Sequence, residues 1–282
     1  MERRRFLIDV AGLALGSLLT DSALASGTSS RRLGVLGIQV SALHDELSKD
    51  FSGTLAKVAE LGYREIELVW WFGSFDRSSK QLRVQLDAAG LRAPSGHISA
   101  GALLVGWERR LEQAHVLGHQ HLICTDFGSD AEVSVDDWHE WADRFNRAGE
   151  AARTAGIWLG LHNEDKGFQP IDGQIPYDAF LDRTDAAVTR HQLDTGNLAA
   201  AGRSPLEYVR RYGQRYWSFH LKDLALSPGG SNVPGEGTIK FRELLSLIPD
   251  IEQKHFVVEF DSEGTALAAA ARSYRYLRSL EF

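Results

Sequence analysis

The chain is short of several things, and each shortage removes a class of protein. Of its 282 residues one is cysteine, so no intrachain disulfide can form and no framework of bridges can carry the fold. Cys124 lies in the apolar stretch HLICTDF and reads as a small buried hydrophobe. After the first thirty residues no apolar run approaches the roughly 20 residues that a bilayer-spanning helix requires. Positive charge is not in excess either. The formal net charge is −7, and an acidic surface repels a phosphate backbone, which counts against nucleic acid as a partner. There is no internal repeat, no low-complexity tract and no interdomain linker. No glycine-rich phosphate loop opens a first helix; GEG at Gly235 to Gly237 is too short and too late. A doubly wound dinucleotide-type sheet is therefore only the runner-up architecture. What is present is ordinary globular composition, 43% hydrophobic with seven Trp, seven Tyr and thirteen Phe, and enough length for one large core.

The N-terminus has its own character. MERRRFLIDVAGLALGSLLTDSALAS has a basic start, a short apolar stretch from about Val10 to Leu19 and small residues at Ala23 and Ala25. That is the anatomy of a cleaved export signal. RRRFL resembles the twin-arginine motif, with Arg3 and Arg4 as the pair, and it implies export of a prefolded protein to the periplasm. On this reading residues 1–25 are removed, residues 26–282 are the mature chain and nothing holds that chain to a membrane. The alternative is an N-terminal anchor or a buried helix. Arg3, Arg4 and Arg5 cancel Glu2, Asp9 and Asp21, so the mature protein keeps the acidic balance.

From Leu33 onward eight short runs rich in β-branched residues alternate with longer amphipathic segments. The runs cover 33–40, 64–70, 92–99, 121–127, 157–164, 190–196, 216–223 and 255–261. In the segment between the fourth and fifth runs, Trp138, Trp141, Phe145 and Ala148 recur at helical spacing and define one face. Gly62, Gly90, Gly118 and Gly156 each stand just before a run, where a left-handed helix cap is expected. Strand and helix repeated eight times predict a single-domain α/β fold, the (β/α)8 barrel. The longest loop, ALSPGGSNVPGEGTIK at 225–240, then lies over the barrel mouth.

A strand buried on both faces should be nearly continuous Val, Ile and Leu. Here polar residues collect late in the runs: Glu67, His97, Asp126, His162 with Glu164, Asp194, His220 with Lys222, and Glu259. In a barrel that is the carboxyl end, where active sites are built. His162, Asp194, His220 and Glu259 come from successive strands and form a mixed N and O set suited to one divalent ion such as Mn, Zn, Co or Mg. Separate salt bridges or solvation are the alternative for each. Lys222 is two residues from His220 and points the same way, while Asp223 faces outward toward the loop or a helix. His119 and His121 have metal-like spacing but stand at the start of their strand, the stability end, and read as structural.

GLHNED, LDTGN, HLKD, GEG and VVEFD, in that order on runs five to eight, resemble the xylose isomerase-like barrels of the sugar phosphate isomerase/epimerase group, relatives of tagatose 3-epimerase. The resemblance spans nearly all of the mature chain. It implies a divalent ion held by ligands from strands five to eight, matched by Asp194, His220 and Glu259. The strand-five position, commonly Glu, falls on His162, with Glu164 two residues on, so either of the two can be the ligand. It also implies acid/base work by Glu259 or Glu164, with Lys222 as a further catalytic and substrate-binding group. His97 and Glu67 match positions where the family often has a histidine and a glutamate and are candidate substrate contacts, with structural roles as the alternative. Trp71, with Trp70 and Phe72 beside it, is a candidate for stacking on an apolar sugar face or for packing at the rim.

The chemistry implied is metal-assisted removal of a proton next to a carbonyl through an enediolate. Isomerase, epimerase and lyase differ only in where the second proton goes or what leaves. Export favours a small-molecule carbohydrate without phosphate, free or oxidised, such as a 3-keto-glycoside. A non-catalytic periplasmic carbohydrate-binding protein on the same barrel is the alternative, and an endonuclease IV-like nuclease fits less well, since the early strands offer mainly His97. The sequence leaves homo-oligomerisation open.

Overall fold

A computed structural model of the protein describes residues 31–282 apart from 70–74, 129–132, 229 and 262–264. The export signal and Trp71, with its neighbours Trp70 and Phe72, lie outside the described residues. Arg31–Phe282 form one compact unit, and within it the eight predicted strands are all found. They are β1 (Gly37–Gln39), β2 (Glu65–Val69), β3 (Arg92–Ile98), β4 (His121–Cys124), β5 (Trp158–Leu161), β6 (His191–Asp194), β7 (Tyr216–Leu221) and β8 (His255–Val258). All neighbours pair in parallel, in the order β5-β4-β3-β2-β1-β8-β7-β6. Eight parallel strands with helices between them form the nearly closed (β/α)8 barrel that the alternation predicts.

The helices form where propensity and capping agree. Ser78 and Gln81, and Ser134 and Asp137, make reciprocal capping boxes at the starts of Ser79–Ala89 and Val135–Thr154. Gly62, Gly90, Gly118 and Gly156 all have positive φ, the conformation their positions before strands predict. The inner face of Val135–Thr154 buries Trp138, Trp141, Phe145 and Ala148, and Phe127 stacks on Trp141 at 4.9 Å between ring centroids. Among the described residues no helix is long and apolar enough to cross a membrane.

The barrel closes at a seam between β5 and β6, which are joined by the single bridges Leu159 to Thr189 and His162 to Gln192. Side chains supplement this thin ladder. Asn163 accepts the Asp194 N–H at 2.8 Å and donates to the Asp194 carbonyl at 3.1 Å, imitating a strand partner. Lower in the seam the Arg190 carbonyl approaches so closely that a Cβ on Gly160 would lie 1.9 Å from it and 2.5 Å from His121 Nε2. Only glycine fits there. His162, bridged to Gln192, and Asp194, paired with the Asn163 side chain, therefore stand on either side of this thin ladder.

Candidate active site and metal centre

The pleat decides what enters the barrel. Residues two apart on a strand share a face, so each polar residue at a strand end has a companion one layer below it. Ser95 precedes His97, Gln192 precedes Asp194 and Ser218 precedes His220, while Gln39 is in register with Glu67. Gln39, Glu67, Ser95, Gln192 and Ser218 are all buried, and they form a polar layer under the mouth. Polar atoms at that depth must find partners.

Glu67 is the centre of that layer. Its Oε1 accepts from Gln39 Nε2 at 2.9 Å, His220 Nε2 at 2.5 Å and His97 Nε2 at 2.9 Å. Its Oε2 accepts from Ser95 Oγ at 2.6 Å and Gln192 Nε2 at 2.8 Å. Burial opposes its charge, but the neighbouring His97 and His220 outweigh that and hold its pKa well below the usual carboxylate range. With every lone pair engaged and no exposed surface, Glu67 supports the histidines from beneath.

Above it the predicted ligands converge. One nitrogen or oxygen from each of His162, Asp194, His220 and Glu259 lies within 4.8 Å of the others, and His97 forms a second grouping with His162 and His220. His220 gives Nε2 to Glu67 and turns Nδ1 to the mouth, 2.5 Å from Glu259 Oε2 and 3.6 Å from Asp194 Oδ2. Burial alone would lower its pKa, but Glu67 and Glu259 raise it well above the ordinary histidine value. The Nδ1 proton is here the positive charge that holds the carboxylates together. His162, by contrast, is held neutral by burial and by the neighbouring imidazoles of His220 and His97, which lower its pKa well below the ordinary histidine value.

The donor set fits a divalent ion. Asp194 Oδ1 caps the following helical turn by accepting the Asn197 N–H at 2.6 Å, but its Oδ2 is buried without a hydrogen-bond partner. A buried carboxylate oxygen in that condition costs about 1–3 kcal/mol or more, and a cation among these four side chains would satisfy it. Burial, followed by the charge of Glu259, raises the pKa of Asp194, whereas the adjoining His220 and Lys222 overcome burial to keep Glu259 ionised.

The remaining predicted residues are placed around this cluster. Glu164 is half-buried, accepts from Asn197 Nδ2 at 3.0 Å and stands 3.6 Å from His162 Nε2. Burial and the charges of Asp194 and Glu259 push its pKa up to about 7. Lys222 Nζ contacts Asp261 at 2.9 Å and Glu259 at 4.0 Å. Burial works against its charge, but Glu259 and Asp194 prevail and raise its pKa above the ordinary lysine value, so it is an ammonium donor rather than a base. Its stem lies against Gly196, where a Cβ would come within 2.7 Å of Lys222 Cγ. Asp126 is exposed on the loop after β4, where it accepts from Thr125 Oγ1 at 3.2 Å and the Gly128 N–H at 2.9 Å, and it does not join the cluster. His119 and His121 are buried, donating to the carbonyls of Ala93 at 2.6 Å and Arg190 at 2.7 Å, a structural role.

Asp223 faces away from the mouth and organises the long loop. It accepts backbone N–H groups from Leu224, Gly235, Gly237 and Ile239 at 2.8 to 3.0 Å, which explains GEG: a Cβ on Gly237 would lie 2.2 Å from the Leu224 carbonyl. Residues that strand-end reasoning overlooked are Gln39, Ser95, Asn163, Gln192, Asn197 and Ser218. For three of them the period-two spacing before His97, Asp194 and His220 was the available signal.

Three comparisons bear on this geometry. The sequence profile of the family described as xylose isomerase-like TIM barrel matches residues 55–280. An inosose dehydratase of Bacillus thuringiensis (strain Al Hakam) is 27% identical, the match covering 82% of this chain and 88% of that protein. A sugar phosphate isomerase/epimerase of Parabacteroides distasonis ATCC 8503 superposes with a TM-score of 0.76 at 22% identity, over 91% of this chain and 98% of the other. The IOLI protein, solved with a zinc atom, superposes with a TM-score of 0.70 at 14% identity, over 87% of this chain and 98% of the other. At these identities the two superpositions speak to the fold alone.

Proposed function

We propose, from the premise that the chain belongs to the xylose isomerase-like TIM barrel family, that it is a divalent-metal-dependent enzyme acting on sugars. It removes a proton next to a carbonyl of an unphosphorylated keto-sugar or keto-glycoside and completes an elimination. The observation that carries this reading is the convergence of His162, Asp194, His220 and Glu259 within 4.8 Å, with Asp194 Oδ2 buried without a hydrogen-bond partner. The named dehydratase relative supports it.

His162, Asp194, His220 and Glu259 would hold a divalent ion, which would supply electrophilic polarisation of a carbonyl and stabilisation of developing negative charge. The protein's own groups divide the rest. Glu164, with a pKa near neutrality, is suited to taking a proton from carbon and returning it to a leaving oxygen. Asn197 Nδ2 orients it. Glu259 stays ionised beside His220 and is the weaker candidate for proton return. The asymmetry between one carboxyl that readily gains a proton and one that does not favours elimination over epimerisation, which needs a competent acid/base on each face. Lys222 donates to a substrate hydroxyl or to the developing oxyanion.

The twin-arginine-like N-terminus supports a periplasmic location for the mature chain, with residues 1–25 as the cleaved signal. N-terminal sequencing of protein from a periplasmic fraction tests this. The activity is tested by elemental analysis of the purified protein and by NMR detection of deuterium exchange and elimination across a panel of keto-sugars and 3-keto-glycosides. One divalent ion per chain with exchange at the carbon beside the carbonyl is expected. Unchanged metal content and turnover in a variant carrying both Asp194→Ala and Glu259→Ala would overturn the reading.

A further inference from the structure

Gln192 lies on β6 one layer beneath the mouth and has no exposed surface. Its amide touches four side chains. Nε2 donates to Glu67 Oε2 at 2.8 Å and to Ser218 Oγ at 3.1 Å. Oε1 faces His97 Nε2 at 2.8 Å and His162 Nδ1 at 2.9 Å. This orientation is dictated by the partners. Turned end for end, the amide would set its oxygen against a carboxylate oxygen and lose both contacts to Glu67 and Ser218 as donor. An amide oxygen only accepts, so each ring nitrogen facing it must carry the proton.

We infer that Gln192 is a positioning residue that sets the tautomer of His162, fixing its ring proton on Nδ1 so that Nε2 turns its lone pair toward the ligand cluster. On the opposite side of the ring Nε2 stands 3.4 Å from Asn197 Nδ2 and 3.6 Å from Glu164 Oε1, which is the side facing the mouth. A neutral imidazole binds a cation through the nitrogen without a proton, and its other nitrogen decides which that is. Glu67 does the reverse for His220, holding the proton on Nε2 and leaving Nδ1 to the mouth. Because Glu67 also accepts from Gln192, one buried network fixes which ring nitrogen each of two candidate ligands turns to the mouth, Nε2 for His162 and Nδ1 for His220. The arrangement also accounts for a polar residue in a β6 position where a barrel core strand would hold Val or Leu.

The inference rests on the metal-centre reading for its purpose but not for its observable. In metal-free full-length protein with 15N-labelled histidine, long-range 1H–15N correlation should show His162 as the Nδ1–H form; an Nε2–H pattern there overturns the proposal without any variant. Gln192→Glu keeps an acceptor against His162 and should retain the Nδ1–H form. Gln192→Met, of similar length and without an acceptor, should lose it and weaken zinc binding, measured against a competing chelator, by about 10–100-fold. A Met variant with the wild-type tautomer or wild-type zinc affinity overturns the proposal. Wild-type protein that takes up no zinc at all would refute the metal centre, while the tautomer measurement would still decide the role of Gln192.

Discussion

Glu67 and His220 lie 153 residues apart in the chain and 2.5 Å apart in the barrel, carboxylate to Nε2. That contact turns the other ring nitrogen to the mouth and anchors the polar layer to the ligand cluster. Replacing Glu67 by Ala would strand His97, His220, Gln39, Ser95 and Gln192 at once. Removing one partner of a buried charged network costs about 3–5 kcal/mol, so Glu67→Ala should unfold at markedly lower denaturant concentration. Glu67→Gln keeps the shape but weakens the hold on His220 Nε2, and about a 10–100-fold loss of metal affinity is expected with a much smaller loss of stability. Chelator competition and urea titration on the two variants check this; equal metal affinity in wild type and Glu67→Gln would contradict it.

The architecture was legible in the sequence because alternation and periodicity are local. Eight β-branched runs, a Trp138-to-Ala148 helical face and glycines before strands each depend on neighbours within about ten residues, and all are found where the pattern put them. The cluster of candidate ligands was legible for a related reason: a polar or charged residue at the end of a buried strand contradicts its surroundings. The layer below was not. Ser95, Gln192 and Ser218 are uncharged and look unremarkable in isolation, and their importance comes from a partner on another strand, such as Glu67, 125 positions from Gln192. For the same reason Glu67 reads from the sequence as a substrate contact, while the structure buries it among five donors.

His220 and Lys222 share a face of β7 but should separate on mutation. His220→Ala removes a candidate ligand and should abolish stoichiometric metal uptake. Lys222→Met retains the stem that lies against Gly196 and removes only the ammonium. Metal content should then persist while turnover falls by about 10²–10³-fold, the usual loss for one preorganised donor to a developing oxyanion. Elemental analysis alongside kinetics distinguishes them, and loss of metal in Lys222→Met would show that the lysine acts through the cluster instead.

Asp223 ties the 225–240 loop down and the loop reaches the site. Asn232 donates to Asp261 at 3.1 Å, and Asp261 meets Lys222 at 2.9 Å. In Asp223→Asn one oxygen becomes an NH2 facing N–H groups of Gly235 and Gly237 or of Leu224 and Ile239, leaving donors unsatisfied at about 1–3 kcal/mol each. The barrel should stay folded and keep its metal while the loop becomes cleavable by protease between residues 225 and 240 and turnover drops. Protease resistance equal to wild type would mean that the loop holds without Asp223.

Acid stability offers a test of the barrel floor independent of any ligand. Burial lowers the pKa of His119 from 6.5 to about 4 and that of His121 from 6.5 to about 3. Both rings stay neutral in the fold while the unfolded chain protonates them, so the unfolded state binds more protons as pH falls below 6.5. Stability contributed by these two sites is complete above that pH and is lost on acidification toward their folded values. Between pH 6.5, where the unfolded histidines are already half protonated, and pH 5 the loss is about 1.2 pH units for each of two groups, roughly 3 kcal/mol in all at 1.36 kcal/mol per unit. Asn at position 119 can present an N–H where Nδ1 donates to Ala93, and Gln at position 121 can do so where Nε2 donates to Arg190, and neither amide titrates. Protein carrying His119→Asn and His121→Gln should therefore lose less stability than wild type between pH 6.5 and pH 5, whatever its stability at neutral pH. Urea unfolding at half-unit pH steps measures the slope directly, and parallel curves for the two proteins would show that these histidines are not the groups that make the fold sensitive to acid.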